Sequence, residues 1–272
     1  MAANIKPSEH QVAGHMDGDK AATKEDDQGR FYKPLQAGPR GSREFDFYEL
    51  VKKKAQEESK DGIGTSTALL GFMPKYYGST EIDGQKYIIV ENINHTYKKP
   101  STMDLKIGFH TWYEAEWNSE EWLEKRKAKD EKEGLGRLGF KLCGCNKWLQ
   151  DEERYWKQDR DYWRGLAYKE PVLEEFKKFA SNGSGLTAKD IYGAARPLVE
   201  EISSWFEAQE EYCFYGCSVL ITYEGTATTA DELNVSAKLI DFAHSFDGQG
   251  KKDENFAGGL HSVLSFMTEA MA

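Results

Sequence analysis

The sequence predicts an α+β protein built as two lobes around a cleft, and three observations carry that prediction. Strand-like runs sit toward both ends of the chain: residues 86–91 (KYIIVE), 218–223 (SVLITY) and 235–242 (VSAKLIDF). Segments of helical period lie between them, and the polar stretch NINHTYKKP after Glu91 separates a smaller first part from a larger second one. A length of 272 residues with 13% aromatics supplies enough apolar bulk for two lobes with substantial cores. The division is placed at 1–92 and 93–272.

Within the first part, residues 10–14 predict a short strand, 25–29 a polar turn and 30–36 (RFYKPLQ) a second strand, together a hairpin. Ser42 is the predicted cap of a helix over 43–54, with Phe45, Tyr48, Leu50 and Val51 as an irregular apolar face and the lysine run 52–54 at its C-terminal end. Residues 55–67 predict a loop. Residues 69–77 lead into a strand pair turned at Asp83-Gly84.

In the second part, six of the seven tryptophans fall between Trp112 and Trp163 amid dense charge, which marks a distinct helical insert at about 112–135. Its predicted helix, 119–133, has Ser119 as cap and Glu121 and Lys125 at the favourable i,i+4 spacing. GFKLCG at 139–144 reads as a strand. Leu198, Ile202, Trp205, Phe206 and Tyr212 recur at helical spacing and predict a core helix.

Charge and composition exclude several classes. A net charge of −10 opposes general nucleic-acid binding, because a surface that repels phosphates gains little from counterion release. It also opposes any polyphosphate ligand unless cations are concentrated locally. No run approaches the roughly 20 apolar residues that span a bilayer, and the first residues lack the apolar core of a leader, so a monomer of the cytosol or nucleus with no stable membrane insertion is expected. Cys143, Cys145, Cys213 and Cys217 are spaced poorly for structural zinc and read as buried free thiols.

One motif misleads. Gly134, Gly136 and Gly139 form a G-x-G-x-x-G, but a charged helix precedes it and a strand follows, the reverse of a dinucleotide site. It reads as a flexible connector. The chemistry is distributed instead. Phosphoryl transfer from ATP needs a cation on the nucleotide phosphates, a carboxylate for magnesium and groups that position the attacking hydroxyl. Lys33 on a strand and Glu44 on the next helix can supply the first, with a surface ion pair as the competing reading. Asp241 ends an apolar strand and opens the loop Asp-Phe-Ala-His, a position from which a carboxylate reaches a cleft. His244 in that loop reads equally as a cap or surface residue. Asp104 and Lys106 in PSTMDLKIG alternate in an extended segment, so both face one side, as a site pair or as an ordinary strand-edge ion pair.

Taken in order, these segments resemble the inositol polyphosphate kinase family. Pro100, Asp104, Lys106 and Gly108 fit its P-x-x-x-D-x-K-x-G signature. HQVAGH at 10–15, E-x-x-F-Y at 44–48, PKYYG at 74–78, V-E-N at 90–92, S-x-L-x-x-Y-E-G at 218–225, I-D-F-A-H at 240–244 and N-F-x-x-G-L at 255–260 follow in the family's sequence. The resemblance implies a two-lobed, protein-kinase-like (ATP-grasp-like) fold with antiparallel sheets and a helical inositol-binding insert. Consistent with it, the chain has neither a glycine-rich kinase loop nor H-R-D.

Carried over residue by residue, the resemblance implies that Lys33 contacts the phosphates of ATP and Glu44 orients it. Glu91 and Ile93 meet adenine through the backbone, walled by Val12, Phe31, Pro74, Leu220 and Ile240. Asp104 takes the ribose hydroxyls near the reacting hydroxyl, Lys106 the transferring phosphate and Asp241 the Mg2+. His244, Lys125 and Lys129 face the inositol polyphosphate, the two lysines alternatively forming a solvated helix face. The insert departs most from relatives: Lys141 stands where they often carry arginine, and Asn146 where a basic residue can occur. The branch most resembled is that of the multikinases, which phosphorylate hydroxyls of tris- and tetrakisphosphates. The alternatives are pyrophosphate formation on the hexakisphosphate and a catalytically inactive inositol-phosphate scaffold, which retention of Lys33, Asp104, Lys106 and Asp241 disfavours.

Overall fold

Asp83 and Gly84 both take left-handed backbone angles (φ 51° and 78°), and the two-residue turn they form pairs Ile82 with Gln85. That twist suits the hairpin turn the sequence predicts. The computed structural model describes residues 4–8, 22–58, 64–115 and 117–272. The expected strand at 10–14, its hairpin and the HQVAGH segment lie outside them.

The first sheet comprises β1 (Lys6–Pro7), β2 (Lys24–Glu25), β3 (Arg30–Pro34), β4 (Tyr76–Ile82) and β5 (Gln85–Glu91), in the order β1-β2-β3-β5-β4. Between β3 and β4 run α1 (Pro39–Glu58) and α2 (Thr65–Phe72). The second sheet comprises β6 (Pro100–Ile107), β7 (Phe140–Leu149), β8 (Arg154–Lys157), β10 (Ser218–Glu224) and β11 (Ser236–Ile240), in the order β11-β10-β6-β7-β8. Its helices are α3 (Glu120–Lys132), α4 (Leu135–Leu138), α5 (Arg160–Gly165), α6 (Lys169–Phe179), α7 (Ala188–Ala208) and α8 (Glu254–Ala270). A small ribbon pairs β9 (Tyr212–Phe214) with β12 (Ser245–Asp247). Every pairing among the described strands is antiparallel. This is the mixed helix and antiparallel-sheet class the sequence predicts.

Four expectations need correction. α1 begins at Pro39, whose fixed φ suits a first helical position, so Ser42 lies inside the helix and its hydroxyl donates to the Pro39 carbonyl (3.2 Å) rather than capping. Its buried stripe is Glu44, Phe47, Tyr48, Val51 and Ala55, whereas Leu50 is 44% exposed. Of the loop expected at 55–67, the described residues other than Gly64 are helical: α1 runs to Glu58, whose carboxylate accepts from the Ser66 and Thr67 amides (3.0 and 2.8 Å) and so satisfies two free donors at the start of α2. Tyr212 belongs to β9, not to the α7 repeat.

The fourth correction concerns the glycines. Gly134 and Gly139 (φ 80° and 75°) bracket the single turn α4, whose Leu135 and Leu138 are buried, and a Cβ at Gly134 would stand 2.5 Å from the Ala167 carbonyl. The segment is a packed corner, not a flexible connector.

The core ties the two sheets together through α1. Phe47 stacks on Phe242 (5.2 Å between ring centres) and meets Phe214 edge-on at 5.6 Å. Aromatic pairs of this kind add about 0.5–1.5 kcal/mol each beyond area burial. They also fix the loop after β11, because Phe242 adjoins Asp241. The expected helix of the insert is α3, with the Ser119 hydroxyl accepting from the Trp122 amide at 3.1 Å.

Candidate active site

Register alone assembles much of the site. Ile240, Ser218, Lys106 and Lys141 are successive partners across β11, β10, β6 and β7, and Lys238, Leu220, Asp104 and Gly144 form the neighbouring row. Directly opposed residues share a face, so one side of the sheet presents Asp104, Lys106, Leu220 and Ile240 together. Cys143 is an extra residue in β7, since the pairing steps from Asp104/Gly144 to Leu105/Leu142, and this bulge lies beside Asp104.

Lys33 approaches from β3. Its ammonium donates to Glu44 on α1 (2.7 Å) and to Asp241 after β11 (2.5 Å), joining the two sheets through one cation. Burial opposes charge on Lys33, but the Asp241 and Glu44 carboxylates outweigh it and raise its pKa. Burial likewise works against the Asp241 carboxylate, and Lys33, then Lys106, outweigh that and lower its pKa. Both are charged near neutrality. Asp241 holds a left-handed backbone (φ 69°), uncommon outside glycine, and its side chain remains 44% exposed.

Asp104 is different. It is 5% exposed, its Oδ1 is buried with no hydrogen-bond partner among the described residues, and burial followed by the Asp241 charge pushes its pKa up to about 6. The folded state therefore holds this proton more tightly than the unfolded chain, whose aspartate titrates near ~4. Stability should fall as pH rises between those values and then level off. Asp104→Asn carries no such penalty. Urea denaturation without divalent ions is expected to show the variant gaining on the parent between about pH 4 and 6.5, by about 2–3 kcal/mol at the plateau. A difference independent of pH would contradict the assignment.

The Lys106 ammonium donates to the Gly216 carbonyl at 2.6 Å, which aims it across the sheet face. His244 lies further along the same loop as Asp241. Its Nδ1 is 3.0 Å from the Tyr113 hydroxyl, and its Nε2 is buried with no hydrogen-bond partner among the described residues. Burial, then Arg40, Arg43, Arg126 and Lys106, push the imidazole down to about 3, so it is neutral. Those four cations are the local positive charge that the net −10 conceals. The buried Nε atoms of Arg40 and Arg43 also lack hydrogen-bond partners among the described residues, which is the state of donors that await an anion.

Sequence reading missed Arg40, Arg43 and Arg126. The signal was there: Arg40 and Arg43 occupy the first two turns of α1 near Glu44, and Arg126 is one residue from Lys125 on α3. Of the predicted lysines, Lys125 forms an exposed pair with Glu121 (2.6 Å, both side chains about three-quarters exposed). Lys129 interacts electrostatically with Glu133, Arg126, Lys141 and Lys106.

Two side chains, the buried Asp130 and the half-buried Asn255, fix the segment between β6 and α3. Asp130 accepts from the Thr111 amide (2.6 Å) and hydroxyl (2.9 Å), while Asn255 on α8 accepts from the Phe109 and His110 amides (2.8 and 3.1 Å). Between them they hold the segment that leaves β6 just after Lys106. A Cβ at Gly108 (φ 111°) would stand 2.7 Å from the Asn255 amide nitrogen, which is why glycine closes that signature.

The remaining predicted contacts lie on or beside strands of the two sheets. Phe31 shares a face of β3 with Lys33, Pro74 is buried before β4, and Leu220 and Ile240 are half-buried on the second sheet. Glu91 ends β5, its amide bonded to the Lys75 carbonyl (2.8 Å), and Ile93 follows in the connection to β6. Val12 lies outside the described residues. No group of three or more His, Cys, Asp or Glu converges as a metal cage among the described residues. Magnesium needs none, since it takes one or two carboxylates and fills its shell from water and substrate phosphates, and Asp241 with the unpartnered Asp104 oxygen fits that donor set.

A cation held by a helix glutamate and bridged to a strand-end carboxylate, beside a cluster of further cations, defines a phosphotransferase of the kinase type. The chain belongs to the inositol polyphosphate kinase family, whose profile matches residues 87–268. It is 34% identical over 286 residues to inositol polyphosphate multikinase alpha of Arabidopsis thaliana, covering 98% of this chain and 96% of that one. A solved inositol phosphate multikinase, the subject of structural studies and protein engineering, superposes with a TM-score of 0.66 at 32% identity over 79% of this chain and 97% of its own. Multikinase Ipk2 of S. cerevisiae, solved with ADP and Mn2+, shares the fold with a TM-score of 0.69 at 23% identity, over 89% and 99% of the two chains.

Proposed function

We propose that the chain moves the γ-phosphate of ATP, with Mg2+, to free hydroxyls of inositol tris- and tetrakisphosphates. The observation that carries this reading is Lys33 bridging Glu44 and Asp241, with Arg40, Arg43, Arg126 and Lys106 acting on His244, three residues beyond Asp241. A phosphate donor site and a polyanion site adjoin there. Bound Mg2+ would neutralise charge on the transferring phosphate, and Asp241 is the residue that would hold it.

In this reading, Lys33, oriented by Glu44, holds the nucleotide phosphates, and Phe31, Val12, Pro74, Leu220 and Ile240 enclose adenine beside the backbone of Glu91 and Ile93. Asp104 orients the ribose and lies near the reacting hydroxyl, while Lys106 steadies the phosphoryl group in flight. Arg40, Arg43, Arg126, Lys129 and His244 hold the inositol phosphates. The chain divides at 92/93 into a nucleotide lobe and a substrate lobe. It acts as a monomer, without nucleic acid, in the cytosol or nucleus.

The test is product identification. The purified chain is given ATP and Mg2+ with inositol trisphosphate or hexakisphosphate, and the products are separated by chromatography. Conversion of the tris- to more highly phosphorylated species is expected. Pyrophosphate formed from the hexakisphosphate alone would transfer the reading to the other branch, and no ATP consumption with either would overturn it.

A further inference from the structure

Tyr113 lies in the segment that Asp130 and Asn255 hold between β6 and α3. It is 5% exposed, and its ring packs against Phe246, Tyr215 and Trp122 at 4.6, 5.2 and 5.3 Å between ring centres. Its hydroxyl has two hydrogen-bond partners among the described residues, the Arg43 guanidinium at 3.4 Å and Nδ1 of His244 at 3.0 Å. His244 is held by its backbone as well, since its carbonyl accepts from the Tyr215 amide at 3.0 Å.

A count of hydrogens gives each of these bonds a direction. A guanidinium only donates, so the Arg43 N–H occupies one lone pair of the Tyr113 oxygen. If Nδ1 of His244 also carried a hydrogen, as it does in the imidazolium and in one neutral tautomer, that oxygen would accept twice. Its own hydrogen would then have no acceptor among the described residues. With the phenol donating to a bare Nδ1, every group is satisfied. A neutral imidazole with a bare Nδ1 carries its hydrogen on Nε2, the atom that is buried with no hydrogen-bond partner among the described residues. Burial of the ring, and the cations acting on it from α1 (Arg40 and Arg43), α3 (Arg126) and β6 (Lys106), disfavour a second proton as well.

We infer that Tyr113 is a positioning residue for phosphoryl transfer: its hydroxyl fixes His244 as the Nε2–H tautomer, so that His244 donates a hydrogen bond to an oxygen of the bound acceptor and does not serve as the base that takes the acceptor's proton. This rests on the function proposed above for the identity of the acceptor, while the tautomer stands on the hydrogen bonds alone. Both ring nitrogens are committed, Nδ1 to the phenol and Nε2 to the hydrogen it already holds. An unpaired buried donor is costly, and an oxygen arriving at Nε2 removes that cost. From Arg43 through Tyr113 to His244 every bond runs donor to acceptor in the same direction, so each polarises the next and strengthens the final N–H as a donor.

The test has a spectroscopic arm and a kinetic arm. For the first, the full chain is isotope-labelled at the histidine ring nitrogens and followed by NMR near neutral pH without ligand, with His244 assigned by the signals that vanish in His244→Gln. A hydrogen-bearing Nε2 and a bare Nδ1 are expected, and the Nδ1 signal should move in Tyr113→Phe, which keeps the ring packing and loses only the hydroxyl. A hydrogen on Nδ1 in the parent, or His244 signals indifferent to Tyr113→Phe, overturns the inference. For the second, kinetics are measured with inositol trisphosphate, ATP and Mg2+. Glutamine can place an amide N–H near the position of Nε2 but takes up no proton, and leucine offers neither. His244→Gln is therefore expected to recover about tenfold in kcat/KM over His244→Leu, and Tyr113→Phe to lose about five- to tenfold in kcat/KM for the trisphosphate with KM for ATP within about twofold of the parent. Equal activity in His244→Gln and His244→Leu is the result for a base and also overturns the inference.

Folding of each variant is checked by circular dichroism. If Tyr113→Phe does not fold, the parent spectrum still decides, because a bare Nδ1 that accepts from the phenol resonates apart from one that accepts nothing. A parent inactive on inositol phosphates would sink the proposed function, and the spectra, recorded without ligand, would still report the tautomer. An active parent with a hydrogen on Nδ1 sinks the role of Tyr113 alone.

Discussion

Asp241→Asn is expected to lower kcat by about 10^3-fold, or ~4 kcal/mol of transition-state stabilisation, with the fold intact. In the proposed function the loss is large because this carboxylate would hold Mg2+, and it is also the one that balances Lys33 from the second sheet. Folding should survive for three reasons. Asn is among the few residues that accept the left-handed angle found there (φ 69°). Phe242, stacked on Phe47, anchors the loop independently of residue 241. Lys33 keeps its bond to Glu44. Single-turnover kinetics at saturating ATP, set beside a thermal melt, read the two effects separately. An unchanged kcat would remove Asp241 from the metal role.

The parts of the site that were legible in the sequence are those a strand's period dictates. Asp104 and Lys106 alternate, so their common face follows from spacing, and Asp241 at the end of an apolar run had to emerge at a sheet edge. The Lys33–Glu44 bond was legible as a strand lysine followed by a helix glutamate. Spacing could not reveal that Lys33 would also reach Asp241, 208 residues later, because that contact depends on how Phe47, Phe214 and Phe242 pack α1 onto the second half.

The misreadings have a common cause. Leu50 was counted as core and Phe47 was not, since an irregular apolar face leaves the helix phase undetermined until a partner surface selects it. The same ambiguity hid Arg126. Lys125 and Lys129 share a face at one-turn spacing, yet Lys125 turns to Glu121 and solvent while Arg126, about 100° around the helix, is the residue near His244. Phase is set by Asp130, buried against Thr111, and a lone aspartate in a charged run gives no sign of burial. A net charge of −10 was similarly uninformative about the site, because four cations brought together by folding outweigh a diffuse surface excess at short range.

Lys106→Met is expected to cost about as much as Asp241→Asn, but with a different kinetic signature. Methionine approximates the length of the side chain and removes its charge, leaving the Gly216 carbonyl without a donor now 2.6 Å away, a loss of about 1 kcal/mol in stability. The catalytic loss should be far larger, about 10^3-fold in kcat, because in the proposed function the ammonium of the Ser218–Lys106–Lys141 row meets the charge on the phosphoryl group. KM for ATP should change only a few-fold, since the Lys33–Glu44 pair, to which the proposed function gives the nucleotide, remains. Lys106→Arg is expected to recover no more than about tenfold, because a planar guanidinium cannot replace a compact ammonium beside Gly216 and Thr111. If Lys106→Met instead raised only the KM for inositol trisphosphate and left kcat intact, Lys106 would be a group that binds substrate and transition state alike, and transfer would have to rely on Lys33 and the metal.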